Sequence, residues 1–311
     1  MNNIICIAGP TASGKTALAV ELALRLQGEV VSCDSMQVYR RMDIGTAKPT
    51  PAEMQGVPHH MLSVAEPEED FSVSRYCAMA VPIVEDILAR GKTAIIAGGT
   101  GLYMDALIRG NAFAPCPSTG RREELEALAA REGIQAVWEQ LRRVDPQSAA
   151  RLPLADHKRI IRAMEVYLET GQTITAHNLH TQAAPPRYRP LWLGLEDENR
   201  QDLYDRIDRR VEAMIAQGLL REVQELLDSG VPRAATSMQA IGYKEFVAVL
   251  EGQRALEEAV AHVQQSSRRY AKRQLTWFRR NPSIHWLHRS AQMDSRQIVE
   301  AACQFTASSD K

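Results

Sequence analysis

The sequence has little of what a secreted, membrane-spanning or zinc-binding protein requires. Its 311 residues contain five scattered cysteines and no C-x-x-C pair, which argues against a disulfide framework or a zinc site and for reduced thiols. No stretch reaches the roughly 18 to 20 apolar residues of a membrane helix, and the N-terminus does not have the layout of a signal peptide. We therefore expect a cytoplasmic globular protein with no membrane association.

The chain also lacks an excess of charge of one sign. It has 37 Lys and Arg residues against 38 Asp and Glu residues, a net charge of −1. Without a global positive field, any nucleic acid must bind at a local basic patch. No internal repeat or low-complexity tract is visible, and the length suits one large domain with a smaller one.

The most specific motif lies near the N-terminus, where the apolar run "NIICIA" leads into "GPTASGKT". This matches G-x-x-x-x-G-K-[ST], a loop whose N–H groups form an anion nest at a helix start, where Lys15 adds charge and Thr16 can ligate Mg²⁺. The motif alone leaves open whether the phosphate belongs to a hydrolysed nucleotide, a transferred phosphoryl group or a leaving diphosphate. The residues predicted to bind it are Gly9, Pro10, Thr11, Ala12, Ser13, Gly14, Lys15 and Thr16.

Strands and helices alternate through the first third of the chain. Predicted strands at 3–8, 29–33 and 93–99, with a helix after the glycine loop and another at about 74–90, indicate βαβ units and a parallel sheet. In such sheets ligands bind at the carboxyl ends of the strands. Candidate functional loops begin at three of these ends: 9–16, 34–37 and 98–101.

The amino-acid composition changes near residue 114, where "APCPSTG" resembles a linker and a charged helical stretch follows. We predict an α/β protein: a P-loop NTPase-like parallel sheet core at 1–113 and 187–311, with an inserted all-helical domain at 114–186 and a helical C-terminus.

Asp34 follows the second predicted strand, beside the expected phosphate nest. Its carboxylate suits metal binding or proton abstraction from an acceptor substrate, and the pattern does not choose between them. Ser35 and Gln37 are hydrogen-bonding residues, and the Gln37 amide is suited to reading a base edge. The strand "TAIIA" instead ends in Gly98 to Gly101, which offers the hydroxyl of Thr100 and no carboxylate.

Two further segments are candidates for an RNA contact. The tract "SSRRYAKRQLTWFRR" contains six positive and no negative charges from Arg268 to Arg280. Such charges neutralise phosphates, and aromatics stack on unpaired bases; the alternative is a solvated helix whose aromatics pack inward. In "DHKRIIRAMEVYLETG", helical spacing places Lys158 and Arg162 on one face. Its opposite face carries Ile160, Ile161, Met164 and Leu168.

Taken together, these stretches resemble the bacterial tRNA dimethylallyltransferases, also called tRNA isopentenyltransferases. The resemblance implies a P-loop core, a helical domain that swings over bound tRNA, and Mg²⁺ as cofactor. It also implies transfer of a dimethylallyl group from dimethylallyl diphosphate to N6 of adenine at tRNA position 37, by a protein that we expect to be a monomer. The matching pieces, in chain order, are "GPTASGKT", "DSMQVYRRMDIGTAKPT", "PHHML", "GGTGLY", "HKRIIRAMEVYLETG", "QAIGYKEF" and "AKRQLTWFR".

The resemblance also implies roles for individual residues. Asp34 is then the general base, Thr100 positions the reacting groups, and Lys15 helps the diphosphate to leave. Arg210 binds the diphosphate, with Arg206 as the alternative. The residues expected to contact tRNA are Asp34, Ser35, Met36, Gln37, Thr100, Arg122, Lys158, Arg159, Ile160, Ile161, Arg162, Gln239, Ala240, Ile241, Gly242, Tyr243, Lys244, Lys272, Arg273, Gln274, Leu275, Thr276, Trp277, Phe278 and Arg279.

Three other functions remain open. A small-molecule P-loop kinase would use the same loop for ATP. A related transferase acting on free AMP or ADP would need no basic tract. An RNA-binding protein switched by a nucleotide would form no covalent product.

Overall fold

The computed structural model describes residues 3–111, 119–290 and 295–308. The chain divides into two compact units, one formed by Met1–Arg109 and Arg187–Lys311 and the other by Gly110–Pro186. Most of the linker predicted at 114–120 lies outside the described residues. In the part of the chain that the structure describes, no helix combines the length and the apolar character needed to cross a membrane.

The first unit contains a six-stranded sheet in which every pairing is parallel, in the order β3-β2-β4-β1-β5-β6. Every residue of β1 and β2 is buried, as expected for a sheet covered by helices on both faces. This confirms the predicted α/β class and parallel sheet. The strands are β1 Ile4–Ala8, β2 Glu29–Ser32, β3 His59–His60, β4 Ala94–Ala97, β5 Leu191–Asp197 and β6 Ile284–Arg289.

Helices surround this sheet, and all of the secondary structure described in the second unit is helical. A 3-10 turn, Ser237–Gln239, precedes α12. The helices are α1 Lys15–Leu26, α2 Pro51–Met54, α3 Val73–Ala89, α4 Gly101–Arg109, α5 Arg121–Glu132, α6 Ile134–Val144, α7 Pro146–Arg151, α8 His157–Thr170, α9 Ile174–Ala183, α10 Arg200–Ala216, α11 Leu219–Asp228, α12 Tyr243–Leu250, α13 Leu256–Phe278 and α14 Ser295–Ser308.

The core of the first unit fixes the place where β1 ends. Leu18 and Leu22 of α1 belong to the same buried cluster as Ile5, Ile7 and Ile95 of the central strands. Burial of each such side chain contributes about 1.5 to 3 kcal/mol. The loop between β1 and α1 is therefore held between two packed elements.

The second unit comprises α5 to α9 and has its own core. Ile160, Ile161 and Met164 of α8 are buried in it with Leu125 of α5, as the helical pattern predicts. Leu168 does not follow the pattern, because its side chain is 41% exposed.

The sheet is wider than the sequence indicates. We expected only helices at the C-terminus, but β6 pairs in parallel with β5 along its whole length. Ile284 and Leu287 of β6 are buried, while the residues between them are exposed or half-buried. The strand therefore extends the sheet beyond β5 and brings Arg289 to its carboxyl edge.

Candidate functional site

The glycine loop has the strand–loop–helix setting that its motif requires. Gly14 is the N-cap of α1, with φ 90°, and no side chain caps the helix. The first backbone amides of α1 are therefore available to an anion. A Cβ at Gly9 would lie 2.9 Å from the Leu195 carbonyl oxygen, so this close approach requires glycine. The buried hydroxyl of Ser13 has no hydrogen-bond partner in the described chain.

Positive charge is concentrated and only partly compensated at this loop. Lys15 Nζ donates to the Pro10 carbonyl oxygen at 2.6 Å. Burial and the neighbouring charge of Arg210 lower the pKa of Lys15 to about 7, although Asp34 opposes the shift. Burial also lowers the pKa of Arg210, against the opposing effect of Asp34 and Glu53. A bound polyanion would stabilise the charged forms of Lys15 and Arg210 and so raise the pKa of both.

We expect binding of inorganic diphosphate to be accompanied by proton uptake at Lys15. A lysine with a depressed pKa is largely neutral above pH 7, and an anion raises that pKa, so the complex holds a proton that the free protein lacks. Between about pH 7 and pH 10 the affinity should fall by up to about tenfold per pH unit. Calorimetric titration in buffers of different ionisation enthalpy measures the number of protons taken up.

The matched control is Lys15→Arg, because a guanidinium keeps its charge throughout this pH range. At about pH 8.5, Lys15→Arg should take up nearly one proton fewer than the wild type when diphosphate binds. The titration of diphosphate itself contributes equally to both proteins and cancels in this difference. Equal proton uptake by the two proteins would contradict a neutral Lys15.

Asp34 follows β2 and forms a tight turn. One of its carboxylate oxygens, Oδ1, accepts the N–H groups of Met36 at 2.9 Å and Gln37 at 3.3 Å. The other oxygen, Oδ2, has no hydrogen-bond partner in the described part of the chain. Thr100 Oγ1 accepts the N–H of Ser35 at 3.0 Å, which ties the loop after β4 to the Asp34 turn. Asp34 thus has a fixed orientation and one free acceptor.

The side-chain amide of Gln37 is used within the protein. Its Nε2 donates to the carbonyl oxygens of Thr46 at 3.2 Å and Ala47 at 3.1 Å. Its Oε1 accepts the hydroxyl of Ser32 at 3.0 Å. No amide N–H is left for the base contact that we predicted, so the amide here supports the neighbouring loop.

The glycines after β4 accommodate α13. Gln274 accepts the Thr11 N–H at 2.8 Å and donates to the Gly99 carbonyl at 2.9 Å. A Cβ at Gly99 would lie 2.1 Å from Gln274 Nε2, and one at Gly101 would lie 2.2 Å from Trp277 Cδ1. Only glycine allows α13 this close to the phosphate loop.

Several residues of the predicted tRNA-contact set face the protein interior instead. Gln274 holds the loops just described, and Trp277 donates to Asp105 Oδ2 at 2.9 Å. Four further members are buried and line neither of the cavities described below, which corrects the prediction of an RNA contact for their side chains: Ile160, Ile161, Tyr243 and Phe278. Ala240 and Gln274 are also buried, but each lines one of those cavities.

The other members of the set, except Gly242, lie at least partly at the surface. Lys272 and Arg273 are exposed on α13, with Thr276 and Arg279 farther along it, and Arg279 pairs with Glu196. In the second unit, the buried Glu165 binds Arg122 at 2.8 Å and Arg162 at 3.0 Å. The remaining ones are Ser35, Met36, Lys158, Arg159, Gln239, Ile241, Gly242, Lys244 and Leu275, of which Gly242 is buried and the rest are half-buried or exposed.

Two adjoining cavities meet at Asp34, and all their lining residues belong to the first unit. The larger, about 750 Å³, is lined by the phosphate loop with Thr16, Ile44 and Glu53. The smaller, about 350 Å³, is lined by residues 239–242 with Lys244 and Arg273. The residues that line both cavities are Thr11, Asp34, Thr46, Arg210, Met214 and Tyr270. We name this set the junction.

The two candidate arginines of α10 have different surroundings. Arg210 lines both cavities. Arg206 instead donates from Nε to the Ala12 carbonyl at 3.1 Å and pairs with Asp197 at 2.5 Å. Asp197 also accepts Arg289 Nε at 3.0 Å. Arg206 therefore supports the phosphate loop from behind, which favours Arg210 as the anion ligand.

Sequence reasoning missed three junction residues: Thr46, Met214 and Tyr270. Met214 lies four positions after Arg210, and that spacing places both on one face of α10. This signal was present in the sequence. For the aromatics of the basic tract, Tyr270 among them, the sequence left open base stacking or inward packing; the Tyr270 hydroxyl interacts with Thr100 and Gln274, and burial raises its pKa.

Comparison with known proteins gives a consistent result. The sequence model of the IPP transferase family matches residues 37–281. A tRNA dimethylallyltransferase of Caldanaerobacter subterraneus subsp. tengcongensis is 48% identical, over 91% of this chain and 90% of the relative.

Two solved structures also match almost the whole chain. The tRNA isopentenylpyrophosphate transferase of Bacillus halodurans has a TM-score of 0.74 and 41% identity, covering 99% of this chain and 96% of its own. A eukaryotic dimethylallyltransferase acting on tRNA has a TM-score of 0.82 and 28% identity, covering 98% of this chain and 79% of its own.

Proposed function

The chain belongs to the IPP transferase family, and on that premise we propose that it transfers a dimethylallyl group from dimethylallyl diphosphate to N6 of adenine at tRNA position 37. The observation that carries the proposal is that Asp34 lines both cavities. The Asp34 carboxylate, with one oxygen free of hydrogen bonds in the described part of the chain, lies between a positively charged site that can bind an anion and a second cavity. A transfer that releases a diphosphate on one side and a proton on the other needs this arrangement.

On the donor side, the bond between the allylic carbon and the bridging oxygen breaks, and negative charge develops on the departing diphosphate. The open amides of α1, Lys15 and Arg210 lie where that charge can be stabilised. Preorganised donors of this kind contribute about 2.7 to 4 kcal/mol each to a transition state. The phosphate loop thus binds a leaving group, and no phosphoryl group is transferred.

Mg²⁺ fits the donor side as a partner of the diphosphate. The described residues include no group of three or more His, Cys, Asp or Glu side chains arranged to hold a metal alone. Thr16 is exposed at the first turn of α1 and lines the larger cavity. One hydroxyl with phosphate oxygens is a usual environment for Mg²⁺, which would neutralise diphosphate charge when bound.

On the acceptor side, the adenine amine is a weak nucleophile because its lone pair is delocalised into the ring. Asp34 Oδ2 takes the proton from nitrogen as the carbon–nitrogen bond forms, and Thr100 holds the turn that aims it. The adenine leaves its stack in the tRNA loop to enter the smaller cavity. Met214 and Tyr270 give the junction apolar surface for the five-carbon group.

Exposed basic side chains of α13 bind the tRNA backbone in this proposal. Lys272 has no ion pair among the described residues, and Arg273 lines the smaller cavity, its guanidinium 5.6 Å from the centre of the Tyr270 ring. We also assign the exposed cations of α8 in the second unit, Lys158 and Arg159, to tRNA binding. Because one chain supplies both cavities, we propose a monomer, acting in the cytoplasm where tRNA is available.

Replacing Lys272 or Arg273 with glutamine should weaken tRNA binding and flatten its salt dependence. Each cation that neutralises a phosphate adds about one unit to the slope of log affinity against log salt concentration. Each single variant should therefore lose about one unit of slope. Filter binding or fluorescence anisotropy over a series of salt concentrations measures this.

Arg25→Gln is the matched control, because Arg25 is exposed on α1 and contacts Cys303 rather than the α13 surface. Its salt slope should equal that of the wild type. Unchanged slopes for both α13 variants would remove this helix from the tRNA interface.

The direct test supplies the protein with dimethylallyl diphosphate, Mg²⁺ and unmodified tRNA, and then determines nucleoside masses after digestion. The expected result is a five-carbon mass gain on one adenosine, that at position 37. A product with AMP or ADP instead of tRNA would indicate the free-nucleotide transferase. Phosphate transfer from labelled ATP would indicate a kinase, and RNA binding without a covalent product would indicate a nucleotide-switched binding protein.

A further inference from the structure

Residues 43–47 form a loop that contributes to both cavities. A single carboxylate on α11, that of Glu222, holds this loop. Glu222 Oε2 accepts the N–H groups of Asp43 and Ile44, both at 2.8 Å. Its Oε1 accepts the N–H of Gly45 at 3.1 Å and the Tyr243 hydroxyl at 2.6 Å. Three successive amides thus converge on one side chain, in the way that a backbone nest binds an anion. We call Glu222 and Tyr243 the loop clamp.

The loop clamp is tightly packed as well as hydrogen-bonded. Tyr243 is fully buried, and a Cβ at Gly45 would lie 2.5 Å from its ring. Burial, followed by the charge of Glu222, raises the pKa of the Tyr243 hydroxyl, so the hydroxyl remains a hydrogen-bond donor. Charge-assisted hydrogen bonds of this kind are about twice as strong as neutral ones.

The clamped loop contributes to both cavities and is linked to Asp34. Ile44 lines the larger cavity, Gly45 the smaller, and Thr46 both. Gln37 donates to the carbonyls of Thr46 and Ala47 in the same loop. The backbone N–H of Gln37 also donates to Asp34 Oδ1. Hydrogen bonds therefore run from Glu222 through the loop and Gln37 to the carboxylate at the junction.

We infer that Glu222, supported by Tyr243, is a positioning residue for the transfer step, an inference that rests on the proposed function. The loop that it holds sets the distance between the allylic carbon in one cavity and the adenine amine in the other. A misplacement of about 1 Å costs up to about 100-fold in rate. The phosphate loop itself is held by Gln274 and Arg206, so we expect the affinity for inorganic diphosphate to depend little on the loop clamp.

The test compares Glu222→Gln, Tyr243→Phe and the double variant. Glu222→Gln should lower kcat about 10- to 100-fold, and Tyr243→Phe should lower it by a smaller factor in the same range. The double variant should be little worse than Glu222→Gln, because Tyr243→Phe removes a hydrogen bond that Glu222→Gln has already weakened. The KM for dimethylallyl diphosphate and the Kd for inorganic diphosphate should stay within about threefold of wild type, a split that general destabilisation does not produce.

Glu225→Gln is the matched control. Glu225 lies on the same helix, pairs with Arg221 at the surface, and should leave kcat unchanged. A Glu222→Gln variant with the kcat of Glu225→Gln overturns the inference, as does a Kd for diphosphate that weakens in proportion to kcat. If Glu222→Gln does not fold, as judged by its thermal transition, Tyr243→Phe alone decides by the same criteria. A wild-type protein that modifies no tRNA would instead refute the proposed function.

Discussion

Asp34→Asn should lose about 10²- to 10⁴-fold in the rate of dimethylallyl transfer, the usual contribution of a general base. Asparagine keeps the oxygen that accepts the N–H groups of Met36 and Gln37, so the turn is retained. What it removes is the proton acceptor at the junction. A single-turnover assay with preformed complex measures the chemical step separately from product release.

Binding measurements serve as the control for Asp34→Asn. Its Kd for tRNA should match the wild type, because Lys272 and Arg273, which we assign to the RNA backbone, are unchanged. Its thermal transition should also be close to that of the wild type. A single-turnover rate within threefold of wild type would exclude Asp34 as the base.

Arg210→Ala should lower kcat/KM for dimethylallyl diphosphate by about 10²- to 10³-fold, as loss of one preorganised donor does at other anionic transition states. Arg210 has no ion pair within the described residues and lines both cavities. Its charge is therefore available to the diphosphate as the allylic bond breaks. Steady-state kinetics with varied donor and saturating tRNA measure the effect.

Two neighbours on α10 provide the comparison. Arg209→Ala should be close to wild type, because Arg209 is exposed and, among the described residues, its side chain hydrogen-bonds only to the Asp205 carbonyl. Arg206→Ala should lower the thermal transition, since it removes a partner of the buried Asp197 and the contact with the Ala12 carbonyl. If Arg206→Ala were catalytically impaired without destabilisation while Arg210→Ala was active, the assignment of the two arginines would be reversed.

The central sheet could be predicted because its signals are local. A short apolar run followed by a glycine loop and an amphipathic helix specifies β1 and α1 with no knowledge of the rest of the chain. β6 has a weaker pattern, with only Ile284 and Leu287 buried, and it follows a long helix. Its place in the sheet depends on pairing with β5, which is a long-range contact that no local window contains.

The candidate site was predictable only in part, for a similar reason. The phosphate loop and Asp34 follow strands, so their convergence is a property of any parallel sheet. Charge and aromatic content marked α13 as a candidate RNA-binding helix. Which of its faces points inward could be identified only from the packing of Gln274 against Gly99 and of Trp277 against Gly101. Glu222 carried no signal at all, because its partners are three backbone amides and one hydroxyl that are distant from it in the sequence.

The bond from Thr11 to Gln274 joins residues 263 positions apart, and this has a consequence for biosynthesis. During translation the phosphate loop leaves the ribosome long before α13 has been made. The nascent chain therefore lacks the acceptor for the Thr11 amide and the helix against which Gly99 and Gly101 pack. The loop can therefore gain its hydrogen bond to Gln274 only when synthesis is nearly complete.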